Sequence, residues 1–496
     1  MKYKSIKLML GIAFAIPNVA WADVVPCSLF ADHMVIQRDT QAPVWGSADA
    51  GEEVSVTGSW GDTVTTTADT SGKWMVKLKT PAAGGPHTLT IKGNNTVEIK
   101  DVLSGEVWFC SGQSNMEWEM HKLAKVSAKR TTPEHVPTAN YVKKEMETAS
   151  DQLLRQFTVA RSKSPQKPLT TLTGSWLDSS PQNNPGFSGT AYFFGRELRK
   201  ELNVPIGLIK CAWGGTRIEP WMPAEAFQAD KEMAAYYQKN QKQASAIFNG
   251  MVNPVIPYAI KGAIWYQGES NSGDGIHYLP KLKALVQGWR EIWQQPADFP
   301  FYFYVVKLAQ FHKHTTNPEG GDGFARIRVA QDRIQELPHT GVASAIDIGN
   351  GRDIHPQNKQ DVGKRLALWA LRDVYGKKDI TVTGPTYKGI QVEGNTVTIS
   401  YDHIGAGLMA AKKKDPFQPV VATPEAKLAS FAISGADKKW HWADASIDGN
   451  TVKLSSAEVA QPVAVRYAYR GNPANANLYN KDGLPAIPFR TDNINP

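Results

Sequence analysis

The chain has very few cysteines for its length, three in 496 residues. Cys27, Cys110 and Cys211 cannot build a disulfide framework, and at most one bridge among them is possible. The chain also lacks a CxxC pair or a cysteine–histidine cluster of the kind that binds zinc. The sequence therefore excludes a disulfide-stapled scaffold, and three buried thiols are the alternative to a single bridge.

A dense run of basic residues is also missing, although the formal net charge is +8. Lysine and arginine are spread along the chain, so a nucleic-acid partner is not expected. Beyond the N-terminus no stretch approaches the roughly 18 apolar residues of a membrane span. The composition, 42% hydrophobic and 21% charged, is that of a globular protein and excludes a disordered chain, a collagen or a coiled coil.

The N-terminus has the three parts of a secretory signal peptide. Lys2, Lys4 and Lys7 precede a short apolar stretch over residues 8–17, and Ala20-Trp21-Ala22 fits the small-residue cleavage pattern. We therefore expect residues 1–22 to be removed, with export to the periplasm or the extracellular space. A buried N-terminal helix would explain the apolar stretch but not the order of the three parts.

The rest of the chain divides by its hydrophobic period. Residues 23–101 alternate apolar and polar residues between glycine turns, which predicts a small β-sandwich domain. Over residues 102–378 apolar runs of strand length alternate with helical stretches, which predicts a parallel sheet covered on both faces. Residues 121–150 interrupt that pattern and are interpreted as an insertion, helical in part. Strand and hairpin patterns return over residues 379–496, which predicts a C-terminal β region.

Two segments that follow predicted strands combine glycine with groups able to act on an acyl ester. Ser111-Gly112-Gln113-Ser114 places a serine at a strand-to-helix turn, where helix N–H groups could stabilise an oxyanion. Trp213-Gly214-Gly215-Thr216 lets the backbone approach a ligand and leaves an N–H free. Taken singly, a helix-capping serine and a tight turn are the more common explanations of these two segments.

Two further segments end strands on the same predicted rim. Gln267-Gly268-Glu269-Ser270-Asn271 offers amide donors, and the alternative is capping of the next helix. Asp353-Ile354-His355-Pro356 offers a histidine able to take a serine proton beside a carboxylate that fixes its tautomer. A lone histidine more often caps a helix or lies on the surface. All four segments follow strands of one parallel sheet, so they face the same edge.

The four segments together, in this order, resemble the sialate O-acetylesterase family of the SGNH, or GDSL-like, hydrolases. The resemblance covers most of residues 100–376 and extends into both β regions. It implies a three-layer α/β/α fold with a parallel sheet, flanked by β-sandwich-like N- and C-terminal regions. It also implies a carboxylic ester hydrolase that forms an acetyl-enzyme and needs no metal or cofactor.

Carried over residue by residue, the resemblance makes Ser114 the nucleophile and His355 the general base, with Ser114 N–H and Gly215 N–H in the oxyanion hole. For the third donor it favours Gln267, with Asn271 as the alternative. The acid is Asp353, although many SGNH enzymes place it three residues before the histidine, where this chain has Arg352. Asp347 or a backbone carbonyl are the alternatives.

Several other residues are candidates for contact with substrate or for support of the site. These are Glu269, Asn271 and Arg217, and the tryptophans Trp118, Trp213 and Trp221, which could stack on sugars or belong to the core. His312 and His314 are interpreted as surface residues rather than metal ligands.

The expected substrate is an O-acetylated glycan, with sialic acid first and acetylated xylan or another plant polysaccharide second. A non-catalytic glycan-binding protein on the same scaffold is the alternative from a different class. The oligomeric state is left open.

Overall fold

The N-terminal region is built from short strands whose side chains alternate between buried and exposed positions. This computed structural model describes residues 23–127, 131–294, 300–414 and 418–492. The predicted signal peptide lies outside these residues. The alternation is clearest over residues 73–79, where Trp74, Val76 and Leu78 are buried between four exposed neighbours. The strands are β1 (Val25–Pro26), β2 (Val35–Gln37), β3 (Gln41–Ser47), β4 (Glu53–Gly58), β5 (Thr63–Thr67), β6 (Lys73–Lys79), β7 (Gly84–Lys92) and β8 (Thr96–Gly112).

Strand β8 belongs to two parts of the molecule at once. Its first half pairs antiparallel with β7 in the N-terminal region, and its 17 residues then continue into the central sheet. The second half is buried at every position from Leu103 to Gly112. The predicted boundary between residues 101 and 102 therefore falls inside one continuous strand.

The central sheet has six parallel strands, as the alternation of apolar runs and helical stretches predicts. Their order is β9-β11-β8-β12-β13-β14, and β10 pairs antiparallel with β9 at the edge. These strands are buried on both faces, which is why they contain few polar residues. The strands that join β8 are β9 (Asp151–Thr158), β10 (Trp176–Ser179), β11 (Ile206–Ala212), β12 (Gly262–Tyr266), β13 (Tyr302–Lys307) and β14 (Thr340–Ser344).

Helices cover the two faces of the central sheet. Trp108 packs on Phe194 and Tyr304 on one face, whereas its neighbour Phe109 packs on Trp289 and Trp293 on the other. The helices are α1 (Ser114–Glu117), α2 (Met120–Leu123), α3 (Val136–Thr148), α4 (Gly189–Leu202), α5 (Lys231–Lys239), α6 (Tyr278–Trp293), α7 (Gly323–Asp332) and α8 (Lys359–Asp373). Helices α4 and α8 lie on the Trp108 face, and α6 lies on the Phe109 face. The predicted three-layer α/β/α fold is confirmed.

The predicted insertion over residues 121–150 contains the end of α2 and all of α3. Helix α3 is tied to α4, because Arg196 and Tyr192 both contact Glu145. The described residues of this segment, 121–127 and 131–150, are thus helical in part, as predicted.

The C-terminal region is a set of small antiparallel sheets with an apolar core of their own. The predicted hairpin patterns correspond to turns at Gly394-Asn395 and Gly449-Asn450, where β15 pairs with β16 and β21 with β22. This region reaches the central one through Arg328, which donates to the carbonyls of Arg470 and Gly471. The strands are β15 (Thr386–Glu393), β16 (Thr396–Asp402), β17 (Leu408–Lys413), β18 (Val420–Ala422), β19 (Phe431–Ser434), β20 (Trp440–Trp442), β21 (Asp444–Asp448), β22 (Thr451–Ser455), β23 (Ala464–Tyr467), β24 (Leu478–Asn480) and β25 (Phe489–Arg490).

Three neighbouring strands of the central sheet end at the same level. Gly112 of β8 is paired with Ala212 of β11 on one side and with Tyr266 of β12 on the other. The segments that follow these strands therefore begin side by side. This register brings three of the four predicted motif segments to one edge of the sheet.

Candidate active site

Ser114 reaches the edge of the sheet through a sharp turn that requires glycine at position 112. Gly112 has a φ of +138°, and a Cβ atom there would lie 2.2 Å from the carbonyl oxygen of Tyr266. The next residue, Gln113, donates its backbone N–H to that same carbonyl at 3.0 Å. The turn ends β8 and starts α1 at Ser114, whose side chain is partly exposed at the rim.

Ser114, His355 and Asp353 form a hydrogen-bonded chain. His355 Nε2 lies 2.9 Å from Ser114 Oγ, and His355 Nδ1 lies 3.0 Å from Asp353 Oδ1. Asp353 Oδ1 also accepts the backbone N–H of His355 at 3.0 Å, so one oxygen fixes both the ring and the peptide. With the proton on Nδ1, Nε2 is free to accept the serine proton, which is the arrangement that activates a hydroxyl nucleophile.

Asp347, the alternative acid, lies elsewhere. Its carboxylate forms an ion pair with Arg365, with oxygen–nitrogen distances of 2.7 and 2.9 Å, and accepts a hydrogen bond from Tyr479. Burial opposes ionisation of Asp347, but the Arg365 guanidinium holds its pKa below the usual value. Asp347 thus joins the central and C-terminal regions and does not contact His355.

The turn after β11 presents a free N–H next to Ser114. Gly215 is exposed with a φ of +74°, and a Cβ atom on its neighbour Gly214 would lie 3.3 Å from Ser114 Cβ. Among the described residues neither Gly215 N–H nor Ser114 N–H donates a hydrogen bond. Two unpaired backbone donors at one place can stabilise a negative oxygen.

Gln267 departs from the predicted role of third oxyanion donor. Its side chain is fully buried, and its Nε2 donates to the Thr216 carbonyl at 3.2 Å and to Asn271 Oδ1 at 2.7 Å. Its Oε1 accepts from the Tyr278 hydroxyl. Both N–H groups are therefore engaged inside the protein, and Gln267 holds the 213–218 turn instead of facing the acyl group.

Asn271 holds the same turn two residues further on. Its Oδ1 accepts the Ile218 N–H at 2.9 Å, and its Nδ2 donates to Asp274 and Glu219. Arg217, also a substrate-contact candidate, is committed to Glu219 and Asp274 in the same cluster. The two amides and the ion pairs thus fix the turn that contains Gly215.

Glu269 belongs to a buried polar group behind Ser114. Glu269 Oε1 and Lys359 Nζ each lie 2.5 Å from the Asn115 amide, which also donates to the Ile354 carbonyl at 3.0 Å. Burial raises the pKa of Glu269 and lowers that of Lys359 to about 7. Asn115 directly follows Ser114, and Ile354 directly precedes His355. The hydrogen bond between them therefore connects the two segments. The sequence placed Lys359 on the helix that follows His355 but contained no signal that its ammonium group is buried.

The three tryptophans near the rim have three different environments. Trp221 is fully buried in the core, whereas the Trp118 ring stacks on the His355 imidazole with centroids 4.2 Å apart. Trp213 is half-buried near Ser114, with Arg161 and Lys163 against its ring. Trp213 packs partly against the core, and its accessible part is placed to meet a sugar.

The remaining candidates have ordinary structural surroundings. His314 Nδ1 contacts the Asn472 carbonyl, and His312 packs on Phe311 and Phe324. The described residues contain no group of three or more metal-ligating side chains. Cys27, Cys110 and Cys211 are free thiols, and burial raises the pKa of each.

Known proteins resemble this chain over nearly all of its length. Residues 104–372 match the sequence profile of the family described as "Carbohydrate esterase, sialic acid-specific acetylesterase". Sialate O-acetylesterase from Homo sapiens is 30% identical over 97% of this chain and 96% of its own length. The enzyme of the same name from Pongo abelii is 29% identical with the same coverage. A carbohydrate acetylesterase from Xanthomonas citri superimposes with a TM-score of 0.82 and 35% identity, covering 95% of this chain and all of its own.

Replacing each candidate acid by asparagine separates their functions. Asp353→Asn should lower kcat/KM for an acetyl ester by roughly 10²–10⁴, because the imidazole loses its orienting carboxylate, with little change in thermal unfolding. Asp347→Asn should instead lower the unfolding temperature, because Arg365 would be buried without its partner. Steady-state kinetics and thermal unfolding of both variants check this. Unchanged activity in Asp353→Asn with loss in folded Asp347→Asn would reverse the assignment.

Proposed function

This chain belongs to the carbohydrate esterase family of sialic acid-specific acetylesterases, and we propose that it removes O-acetyl groups from sialic acid by a serine mechanism. It is a carboxylic ester hydrolase. The observation that supports the mechanism most directly is the Ser114–His355–Asp353 chain of hydrogen bonds at the sheet edge.

In the proposed first step Ser114 Oγ attacks the acetyl carbonyl carbon while its proton passes to His355 Nε2. The carbonyl π electrons move to the oxygen, where Ser114 N–H and Gly215 N–H stabilise the charge. Collapse of this intermediate breaks the bond to the sugar oxygen, which takes the proton from His355. The sugar leaves with a free hydroxyl, and the acetyl group remains on Ser114.

In the second step water replaces the sugar. His355 takes a proton from water as its oxygen attacks the acetyl carbon, and the same two N–H groups stabilise the second oxyanion. Collapse releases acetate and returns the proton to Ser114 Oγ. Asp353 stabilises the imidazolium that forms twice in each turnover.

Charge beside the nucleophile supports an acidic sugar as substrate. Lys163 Nζ lies 4.8 Å from the centroid of the Trp213 ring, and Trp213 adjoins Gly214, which stands against Ser114. Lys163 is exposed and forms no ion pair among the described residues. An aromatic face with an uncompensated cation suits a sugar that carries a carboxylate, as sialic acid does and unsubstituted xylan does not.

Export is part of the proposal. Its support is the basic, apolar and small-residue order of residues 1–22, which lie outside the described part of the chain. Among the described residues no helix is long and apolar enough to cross a membrane.

The catalytic assignment predicts that Ser114→Ala abolishes acetate release from 4-nitrophenyl acetate and from sugars, while the variant unfolds at the wild-type temperature. Acetate release should be highest with O-acetylated sialic acids in a panel that includes acetylated xylo-oligosaccharides. Residual activity at wild-type level in Ser114→Ala would contradict the nucleophile. Preference for the xylo-oligosaccharides would instead indicate a plant-polysaccharide acetylesterase with the same machinery.

Lys163→Ala should lower kcat/KM for an O-acetylated sialic acid about 3-fold and leave that for a neutral acetylated sugar unchanged. An exposed ion pair contributes up to about 1 kcal/mol, so the effect is modest and should disappear at high salt. Lys167→Ala is the matched control, because Lys167 is an exposed lysine of the same loop. An equal loss with both sugars would show that Lys163 does not discriminate by charge.

Expression with residues 1–22 intact should yield an exported protein that begins at Asp23. The intact mass of the exported chain measures this directly. A chain that keeps Lys2, Lys4 and Lys7 and stays in the cytoplasm would contradict the signal.

A further inference from the structure

Glu117, at the end of helix α1, contacts both the backbone of Gly214 and the side chain of Arg161 at the rim. Its Oε2 accepts the backbone N–H of Gly214 at 2.9 Å. Its Oε1 accepts from Arg161 Nε at 2.8 Å, and Arg161 Nη2 contacts the same oxygen. The glutamate side chain is 10% exposed, whereas that of Arg161 is 51% exposed. A buried carboxylate is thus shared between a backbone amide and a cation at the rim.

The amide that Glu117 holds is the one immediately before the proposed oxyanion donor. A Cβ atom on Gly214 would lie 2.9 Å from Glu117 Oε2 and 3.3 Å from Ser114 Cβ, so the backbone is squeezed between the two side chains. Two successive glycines have the widest choice of backbone conformations. A fixed Gly214 N–H therefore limits where the next N–H, that of Gly215, can point.

The remaining anchors of this turn lie on its other side. Gln267 Nε2 donates to the Thr216 carbonyl, and Asn271 Oδ1 accepts the Ile218 N–H. These contacts hold the turn after Gly215, and Glu117 holds it before Gly215. Between the anchors the Gly215 N–H is left without a partner among the described residues, as an oxyanion donor must be.

Arg161 gives the carboxylate its compensating charge. An uncompensated anion this close to Ser114 would repel the negative oxygen that forms there. The ion pair with Arg161 lets Glu117 accept the Gly214 hydrogen bond while the pair stays neutral overall. The glutamate can therefore orient the backbone without opposing the reaction electrostatically.

We propose that Glu117 is a positioning residue of the oxyanion hole: it fixes Gly214 so that the Gly215 N–H faces the acyl oxygen at Ser114, and Arg161 neutralises it. This rests on the proposed nucleophile Ser114. Glu117 contacts no reacting atom and acts through the backbone of the 213–218 turn.

Three substitutions in the full chain, assayed with 4-nitrophenyl acetate, test the proposal. Glu117→Ala should lower kcat by about 10- to 100-fold with KM within about 3-fold, a smaller loss than the roughly 10²–10³ for removing a donor outright. Glu117→Gln keeps an acceptor oxygen at the same reach and should retain kcat within about 5-fold. Glu117→Asp withdraws that oxygen by one methylene and should fall between them, which keeps the test available if the alanine variant does not fold.

The matched control is Glu119→Ala. Glu119 pairs with Lys122 and Lys210 and makes no hydrogen bond to the 213–218 turn in the described structure. The Glu119→Ala substitution removes a glutamate two residues from Glu117 and should leave kcat unchanged.

A pH profile and a phosphonylating inhibitor separate positioning from general damage. The midpoint of kcat/KM against pH should not move in Glu117→Ala, because the Ser114–His355–Asp353 chain is untouched, whereas the plateau should fall. Inactivation by a 4-nitrophenyl alkylphosphonate, which bonds Ser114 and places a phosphoryl oxygen in the oxyanion hole, should slow by the same factor as kcat.

Specific results would overturn the proposal. Wild-type kcat in folded Glu117→Ala or Glu117→Asp would show that Glu117 does not position the turn. Glu117→Gln as inactive as Glu117→Ala would show that charge, and not the hydrogen bond to Gly214, is what counts. A shifted pH midpoint would place the effect on His355. Failure of the proposed function itself gives a different result, since Ser114→Ala would then keep its activity.

Discussion

The common end of strands β11, β8 and β12 is the constraint on which the site depends. Gly112 is paired with Ala212 and Tyr266 across the sheet, so Ser114, the glycine turn and the Gln267 segment leave the sheet as neighbours. Backbone hydrogen bonds inside a buried sheet set this register, and a slip of one residue would turn every side chain to the other face. The placement of Ser114 relative to Gly215 is therefore fixed by the core, while the rim only supplies the functional groups.

Much of the fold and of the candidate site could be predicted from the local sequence pattern. The features that could not be predicted share one cause, which is their dependence on tertiary contacts. Apolar runs of strand length indicated the parallel sheet, and the residue types after them indicated the segments that contain Ser114, Gly215 and His355. The role of Gln267 was different, because an amide at a strand end can face either the ligand or a neighbouring loop. That choice depends on the carbonyl of Thr216, which is distant in sequence, and on how the Asn271 side chain of the same segment is oriented. The pairing of Asp347 with Arg365 likewise depends on how a strand end meets a helix face, which no periodicity encodes.

The site also contains polar groups that burial disfavours. Lys359 and Glu269 are buried on either side of Asn115, and burial shifts the pKa of each toward its neutral form. Removing two ionisable groups from water opposes folding unless their partners are held in place. Here the partner is one amide that also contacts the backbone next to His355. The groups that oppose folding thus lie where the distance between Ser114 and His355 is fixed, a distribution typical of functional sites.

The continuity of β8 has a consequence for how such a protein can diversify. A domain joined by a linker can be gained, lost or exchanged by recombination without disturbing its neighbour. The N-terminal β region here cannot, because the strand that completes it is the same strand that ends in Gly112 and presents Ser114. If the N-terminal β region were removed with β8, the central sheet would lose a central strand. If it were removed without β8, its own sheet would have an open edge. The N-terminal strands and Ser114 are therefore joined through one strand, as a single structural unit.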